Sequence, residues 1–295
     1  MFFTMQDNAA KMAAKPKSNK GGITVRVATT CVKMRLGSKS QNLVPILQLI
    51  DKAVEAGQPD ILVLSESVFT RMNIHGIEDA ALDTSIAEEL DGPVFKELMA
   101  RAAQHKIYIA FTIYAPGGDA DAAPRAFFNS NFLLSPEGEI VGRYDKNKLP
   151  KSEAEAGCKP GTERPVFDIS VDGKAVRVGM MNCYDFSLDG YCEGEERVAA
   201  SLANKGAKIL LGSSIGDYTS EAVSDAAANG VYVVMAGQDK YRENDYGASA
   251  IIDPKGGILV QFTDRTGYPG LDMDVMRYRP GQDGSYGYAD IVLPL

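Results

Sequence analysis

Hydrophobic and polar positions along the chain switch repeatedly between two periods. Ile23-Thr24-Val25-Arg26-Val27-Ala28 alternates, as a strand does. Leu43, Ile46, Leu47, Ile50 and Val54 then recur at helical spacing until Gly57-Gln58-Pro59-Asp60 stops the helix. The run Ile61-Leu62-Val63-Leu64 predicts a second strand. Pro93–His105 predicts a second helix, with Val94, Leu98 and Ala102 on one face and proline at a favourable first turn. Ile107–Tyr114 reads as the next strand. Asn131–Leu134 and Glu139–Val141 flank Ser135-Pro136-Glu137-Gly138, a hairpin around a type I turn. The second half repeats this order. It predicts a strand at 175–183, a helix at about 193–205, a strand at 207–211, a helix at about 220–229 and a strand at Val231–Ala236. A second hairpin closes on Asp253-Pro254-Lys255-Gly256. Two such halves can bury their sheets against each other with helices outside. The expected fold is therefore α/β, a four-layer α-β-β-α sandwich.

Residues 1–22 are polar and rich in Ala and Lys, and read as a poorly ordered extension. Residues 23–269 form the expected domain, since no Pro/Gly/Ser-rich linker divides them. Residues 270–295 form a tail whose apolar end, Tyr286–Leu295, fits either an oligomer interface or an edge strand on its own subunit.

The chain has 295 residues, 45% hydrophobic and 24% charged, with a net charge of −8. That balance argues against a nucleic-acid partner, which calls for a basic stripe. No run approaches the roughly 18 apolar residues of a membrane span. Four cysteines without a C-x-x-C pair (Cys31, Cys158, Cys183, Cys192) suit neither a disulfide framework nor a zinc site. They fit a reducing cytoplasm.

Three strand ends carry chemistry. The run Val176–Asn182 ends on Cys183, Ile61–Leu64 leads to Ser65-Glu66, and Glu139–Asp145 leads to Lys146. Ligands of open α/β sheets bind beyond the carboxyl ends of strands, so a base, a cation and a thiol would meet there. Each residue also has a plain reading. Cys183 alone is more often a small buried hydrophobe. Glu66 alone is at even odds a solvated strand end, and for Lys146 alone a solvated hairpin exit is the favoured reading. Placement at a strand end favours chemistry, with the thiolate held by backbone N–H groups and a nearby cation. Gly212-Ser213-Ser214-Ile215-Gly216 matches the G-x-S-x-G elbow, but that triad needs a histidine after the serine. His75 and His105 both precede it.

These segments resemble the nitrilase superfamily of carbon–nitrogen hydrolases. The likeness rests on Leu64-Ser65-Glu66, on Gly138–Pro150 around Lys146, and on Gly179–Asp185 around Cys183. Gly206–Leu211, Ala227–Val234 and Gly247–Gly256 extend it, so that it spans roughly residues 23–265 in order. Ser65 stands where the family usually has Pro, Asp145 where it has Arg, and Lys148 where it has His. The resemblance implies an α-β-β-α sandwich with a Glu66–Lys146–Cys183 triad and no metal or cofactor. It also implies a second glutamate, Glu155 by its place before Gly157-Cys158-Lys159-Pro160-Gly161, with Glu153 as runner-up. Tyr184 and Asp185 are expected at the oxyanion site or pocket. The implied substrate is a small amide or N-carbamoyl compound, because the family's true nitrilases usually have Trp after the cysteine. Nitrile hydrolysis and a non-catalytic scaffold are the alternatives. A homodimer or higher homo-oligomer is expected.

Overall fold

The computed structural model describes residues 14–16, 21–32, 39–69, 87–117, 126–238, 249–262 and 284–294. The alternating run near the start of the chain forms β1 (Gly22–Val32), followed by α1 (Lys39–Gly57) and β2 (Ile61–Val63). Next come α2 (Pro93–His105), β3 (Tyr108–Pro116) and the hairpin β4 (Phe127–Leu134) and β5 (Ile140–Asp145). A short helix, α3 (Lys151–Glu155), and a strand, β6 (Val166–Val171), lead into the second half. There β7 (Lys174–Asn182), α4 (Val198–Asn204), β8 (Ile209–Ser213), α5 (Thr219–Asn229) and β9 (Tyr232–Gln238) precede the hairpin β10 (Ser249–Ile252) and β11 (Ile258–Phe262). The last described element is β12 (Gly284–Pro294).

The pairings give two sheets of the same design. One runs β12-β1-β2-β3-β4-β5, the other β6-β7-β8-β9-β10-β11. In each, three consecutive strands are parallel (β1, β2, β3; β7, β8, β9). In each, the hairpin adds two antiparallel strands on one side, and a single antiparallel strand flanks the other. The two hairpin turns match in detail. Gly138 N–H donates to Ser135 O and Gly256 N–H to Asp253 O, both at 2.9 Å. Both glycines have positive φ, +82° and +81°, which an L-side chain resists. Beyond the end of β2, β1 pairs its last residues Cys31 and Val32 with Gly237 and Gln238 of β9, and so joins the sheets.

The alternation of β1 explains the layering. Val25, Val27 and Cys31 pack with Ile61, Val63, Ala110 and Leu133 against the other sheet, around Val178, Met180, Leu211 and Val234. Ala28 and Val32, with Leu62, Ile109, Phe111 and Phe132, face α1 and α2 instead. The expected helical faces are the buried ones: Ile46, Leu47 and Ile50 on α1, and Val94, Leu98 and Ala102 on α2. The fold is the expected four-layer sandwich.

Two expectations change. The helix read at about 193–205 begins only at Val198. Gly194 sits at φ +79°, and Arg197 is extended with its guanidinium spent on Asp225 (2.7 and 2.8 Å) and Phe186 O. Those commitments keep 193–197 out of the helix. The tail, of its two readings, pairs on its own chain, and β12 matches all eleven residues of β1. Within the N-terminal extension, Lys15 Nζ lies 2.8 Å from Asp60 Oδ1. Residues 1–13 and 17–20 lie outside the described residues, as does His75.

Candidate active site

The turn after β7 is shaped by its own residues. Cys183-Tyr184-Asp185 forms one 3₁₀ turn, and Cys183 holds φ +44°, which is costly for a residue with a Cβ. Phe186 N–H donates to Cys183 O at 2.9 Å. Asp185, fully buried, closes the turn. Its carboxylate accepts from Asn182 N–H (2.9 Å), from Lys148 N–H (2.9 Å) and from the Tyr144 hydroxyl (2.7 Å). Burial raises its pKa to about 6, although these donors pull it down. Asp185 is thus a brace that ties the Cys183 turn to the chain after β5. Both of its oxygens are engaged by these three donors. Tyr184 remains half-buried beside Cys183, and its backbone N–H belongs to the first turn of a helix, where donors lack intrahelical partners.

Glu66 follows β2 and is buried. Its Oε1 accepts from Lys146 Nζ at 2.9 Å and from Asn129 Nδ2 at 2.8 Å. Its Oε2 accepts from the backbone N–H of Ile215 at 3.0 Å. Its own carbonyl accepts from Gln238 Nε2 at 2.5 Å.

Lys146 follows β5 and is also fully buried. Burial alone would lower its pKa, but the charges of Cys183, Glu153 and Glu66 outweigh that and hold it well above the usual value. The Cys183 thiol lies within hydrogen-bonding reach of Glu66. Burial, then the Glu66 charge, pushes it up to about 12, against the opposing pull of Lys146.

Of the two candidates for the second glutamate, the structure brings Glu153, the runner-up, to Lys146 and leaves Glu155 outside. Glu153 is buried, and its Oε1 accepts from Lys146 Nζ (3.1 Å), Asn129 Nδ2 (2.8 Å) and the Tyr114 hydroxyl (3.2 Å). Burial raises its pKa, opposed by Lys146. Glu155 is exposed at the end of α3 and pairs with Lys151 at 3.4 Å. The physical reason is helical geometry. α3 starts at Lys151, and positions 153 and 155 of one helix lie about 200° apart, so only one can face the site.

Sequence reasoning missed Asn129, Tyr114 and Asn182. Asn129 and Tyr114 face each other across β3 and β4, on the inner side of the sheet. Asn182 Nδ2 donates to Asn129 Oδ1 at 2.9 Å, from the residue before the cysteine. The available signal was three asparagines or serines in a row, Asn129-Ser130-Asn131, inside a buried strand. The dismissed G-x-S-x-G loop also reaches the site. Its hydroxyls are spent on carbonyls, Ser213 Oγ to Leu64 O (2.9 Å) and Ser214 Oγ to Gly216 O (2.8 Å), while its Ile215 N–H holds Glu66.

Lys148, at the position that departs from the family, turns outward. Its ammonium pairs with Glu195 and sits 4.6 Å from the Tyr191 ring centroid. Asp145 is neutralised by Arg143 (2.8 Å) and accepts from Ser130 Oγ (2.6 Å). His105 contacts Asp51 from α2 at 2.6 Å. Among the described residues no group of three or more His, Cys, Asp or Glu is arranged to hold a metal ion, and no helix is long and apolar enough to cross a membrane.

The carbon–nitrogen hydrolase family model matches residues 26–277. The chain belongs to the carbon–nitrogen hydrolase family. This hydrolase is 24% identical over 262 residues to the probable hydrolase nit2 of Schizosaccharomyces pombe, covering 81% of this chain and 88% of that one. Among solved structures, the hydrolase fold is similar to Saccharomyces cerevisiae Nit3, a nitrilase-superfamily member. There the TM-score is 0.69 and the identity 19%, over 92% of each chain. It is likewise similar to an amidase from Nesterenkonia sp., with TM-score 0.65 and 19% identity over 94% of this chain and 92% of that one.

Proposed function

We propose that this hydrolase cleaves the C–N bond of a small non-peptide amide or N-carbamoyl compound, with Cys183 as nucleophile. Glu66 accepts the thiol proton as sulfur attacks the carbonyl carbon, so that no free thiolate has to be stored. The carbonyl π electrons move to oxygen, and the oxyanion is stabilised by Lys146 and the Tyr184 N–H. Collapse breaks the C–N bond, and protonated Glu66 gives its proton to the departing amine or ammonia. Water then attacks the thioester with Glu66 again as base. The C–S bond breaks, the acid leaves, and the proton returns to sulfur. Glu153 takes a second hydrogen bond from Lys146 and so helps to hold it in place.

One arrangement carries this reading: Cys183, Glu66 and Lys146 are all buried, burial pushes the thiol up to about 12, and Lys146 Nζ donates to Glu66 Oε1 at 2.9 Å. Such a thiol reacts only with a base in place. A variant of the Nesterenkonia amidase carries the acetamide moiety of fluoroacetamide at its active-site cysteine, which supports a thiol nucleophile on this fold. Four free cysteines support a reducing, cytoplasmic setting. We also propose a homodimer, the commonest closed assembly of soluble chains.

Ammonia release from a panel of small amides, N-carbamoyl acids and nitriles is the test, with wild type against Cys183→Ala. Turnover by a folded Cys183→Ala protein overturns the proposal. In a Cys192→Ser background, which removes the exposed thiol, alkylation of Cys183 should slow on Glu66→Gln; an unchanged rate removes Glu66 as base.

A further inference from the structure

We propose that Asn129 is a positioning residue that commits the proton of the reaction to Oε2 of Glu66. The inference rests on Glu66 acting as the base. An asparagine amide nitrogen carries two hydrogens and accepts nothing. Here those hydrogens go to two different carboxylates, Glu66 Oε1 and Glu153 Oε1, each at 2.8 Å. The orientation of the amide is fixed by chemistry. Asn182 Nδ2 donates to Asn129 Oδ1 at 2.9 Å, and a flipped amide would set oxygen against two carboxylates and nitrogen against nitrogen.

The consequence falls on Glu66. Oε1 already accepts two donors, Lys146 Nζ and Asn129 Nδ2, so a proton arriving there would face their hydrogens. Oε2 accepts one, the Ile215 N–H, and keeps a lone pair open. The thiol proton is therefore received and returned by Oε2 alone, along one path. The charged and titratable groups around Glu66 are Lys146 from the end of β5, Glu153 from α3, Tyr114 from β3, Cys183 after β7 and Tyr218 before α5.

The test is the pH profile of kcat/KM for Asn129→Ala on whichever amide substrate the panel identifies. Losing the donor frees the second lone pair of Oε1 and raises the proton affinity of Glu66. The acidic limb should move to higher pH, and kcat should fall about 10- to 100-fold, the loss expected of a hydrogen bond to a charged group, with KM nearly unchanged. Asn129→Asp sets a third carboxylate against the other two and should move the limb further the same way. If Asn129→Ala does not fold, Asn182→Ala removes the donor that orients the amide and should give a smaller shift in the same direction. A fall in kcat with an unmoved limb, or an unchanged enzyme, overturns the proposal. The base reading itself fails separately, through an active Glu66→Gln or Cys183→Ala protein.

Discussion

At the residue scale, two lysines two positions apart have opposite fates. Lys146 is buried between two carboxylates, and Lys148 is spent on Glu195 and the Tyr191 ring. Lys146→Ala should cost about 10²–10³ in kcat, the typical loss for one oxyanion donor, whereas Lys148→Ala should leave kcat within a few-fold. Lys146→Ala also strands two buried glutamates, which typically costs about 3–5 kcal/mol. Protonating one of them relieves that repulsion, so the loss in Tm should be smaller at pH 5 than at pH 8. Thermal unfolding at the two pH values checks the sign. A rate loss on Lys148→Ala instead would shift the site by two residues. The strand ends made Glu66, Lys146 and Cys183 legible, because an apolar run followed by a polar residue marks where a sheet opens. Glu153 was obscured because a five-residue helix is too short to show a period, and motif spacing favoured its neighbour Glu155. Asn129 left no such mark, since a polar residue inside a strand announces a partner without naming it.

At the element scale, the turns hold the chemistry in place. Asp185 pins the 3₁₀ turn of Cys183 to Lys148 and Tyr144. Its pKa is raised to about 6, above the roughly 3.9 of an unfolded aspartate. Between those values the folded protein holds a proton that the unfolded chain has released. Its contribution to stability is therefore greatest at low pH and falls as pH rises toward 6. Asp185→Asn removes this titration. Wild-type stability minus variant stability, from denaturant unfolding, should shrink between pH 4 and pH 7; a difference that grows would contradict the burial argument. Gly161 plays the matching part for Lys146. Its N–H donates to Lys146 O at 2.9 Å, and a Cβ there would lie 2.1 Å from the Asp145 carbonyl oxygen. Gly161→Ala must displace the end of β5, so kcat should fall at least about tenfold, while stability falls by the roughly 1–3 kcal/mol of overpacking. Normal kcat with lowered Tm would show that the lysine is held by other contacts.

At the scale of the whole molecule, the two halves share one plan of three parallel strands, a hairpin and one flanking antiparallel strand. The site draws on both halves: Glu66, Asn129 and Lys146 from the first sheet, Cys183 and the Ile215 N–H from the second. The repeat was readable from the matching order of elements and the two x-Pro-x-Gly turns. The flanking strand β6 was not, because it comes from a segment with no counterpart in the repeating pattern, and β12 was one of two readings of the apolar tail. β12 closes the first sheet along the full length of β1. Arg26 ties the two strands through Asp290, at 2.7 Å to each carboxylate oxygen. Deleting residues 284–295 should therefore strip β1 of its antiparallel neighbour along its whole length and expose a long edge, the usual template for aggregation. Because the strand is its own chain's, the loss in Tm on Asp290→Ala, which breaks the Arg26 pair, should be independent of protein concentration. A strand exchanged between subunits would instead make unfolding depend on concentration by mass action. Thermal scans of wild type and Asp290→Ala at about 1 and 50 μM distinguish the two, and a Tm difference that changes between those concentrations would move β12 to a neighbouring subunit.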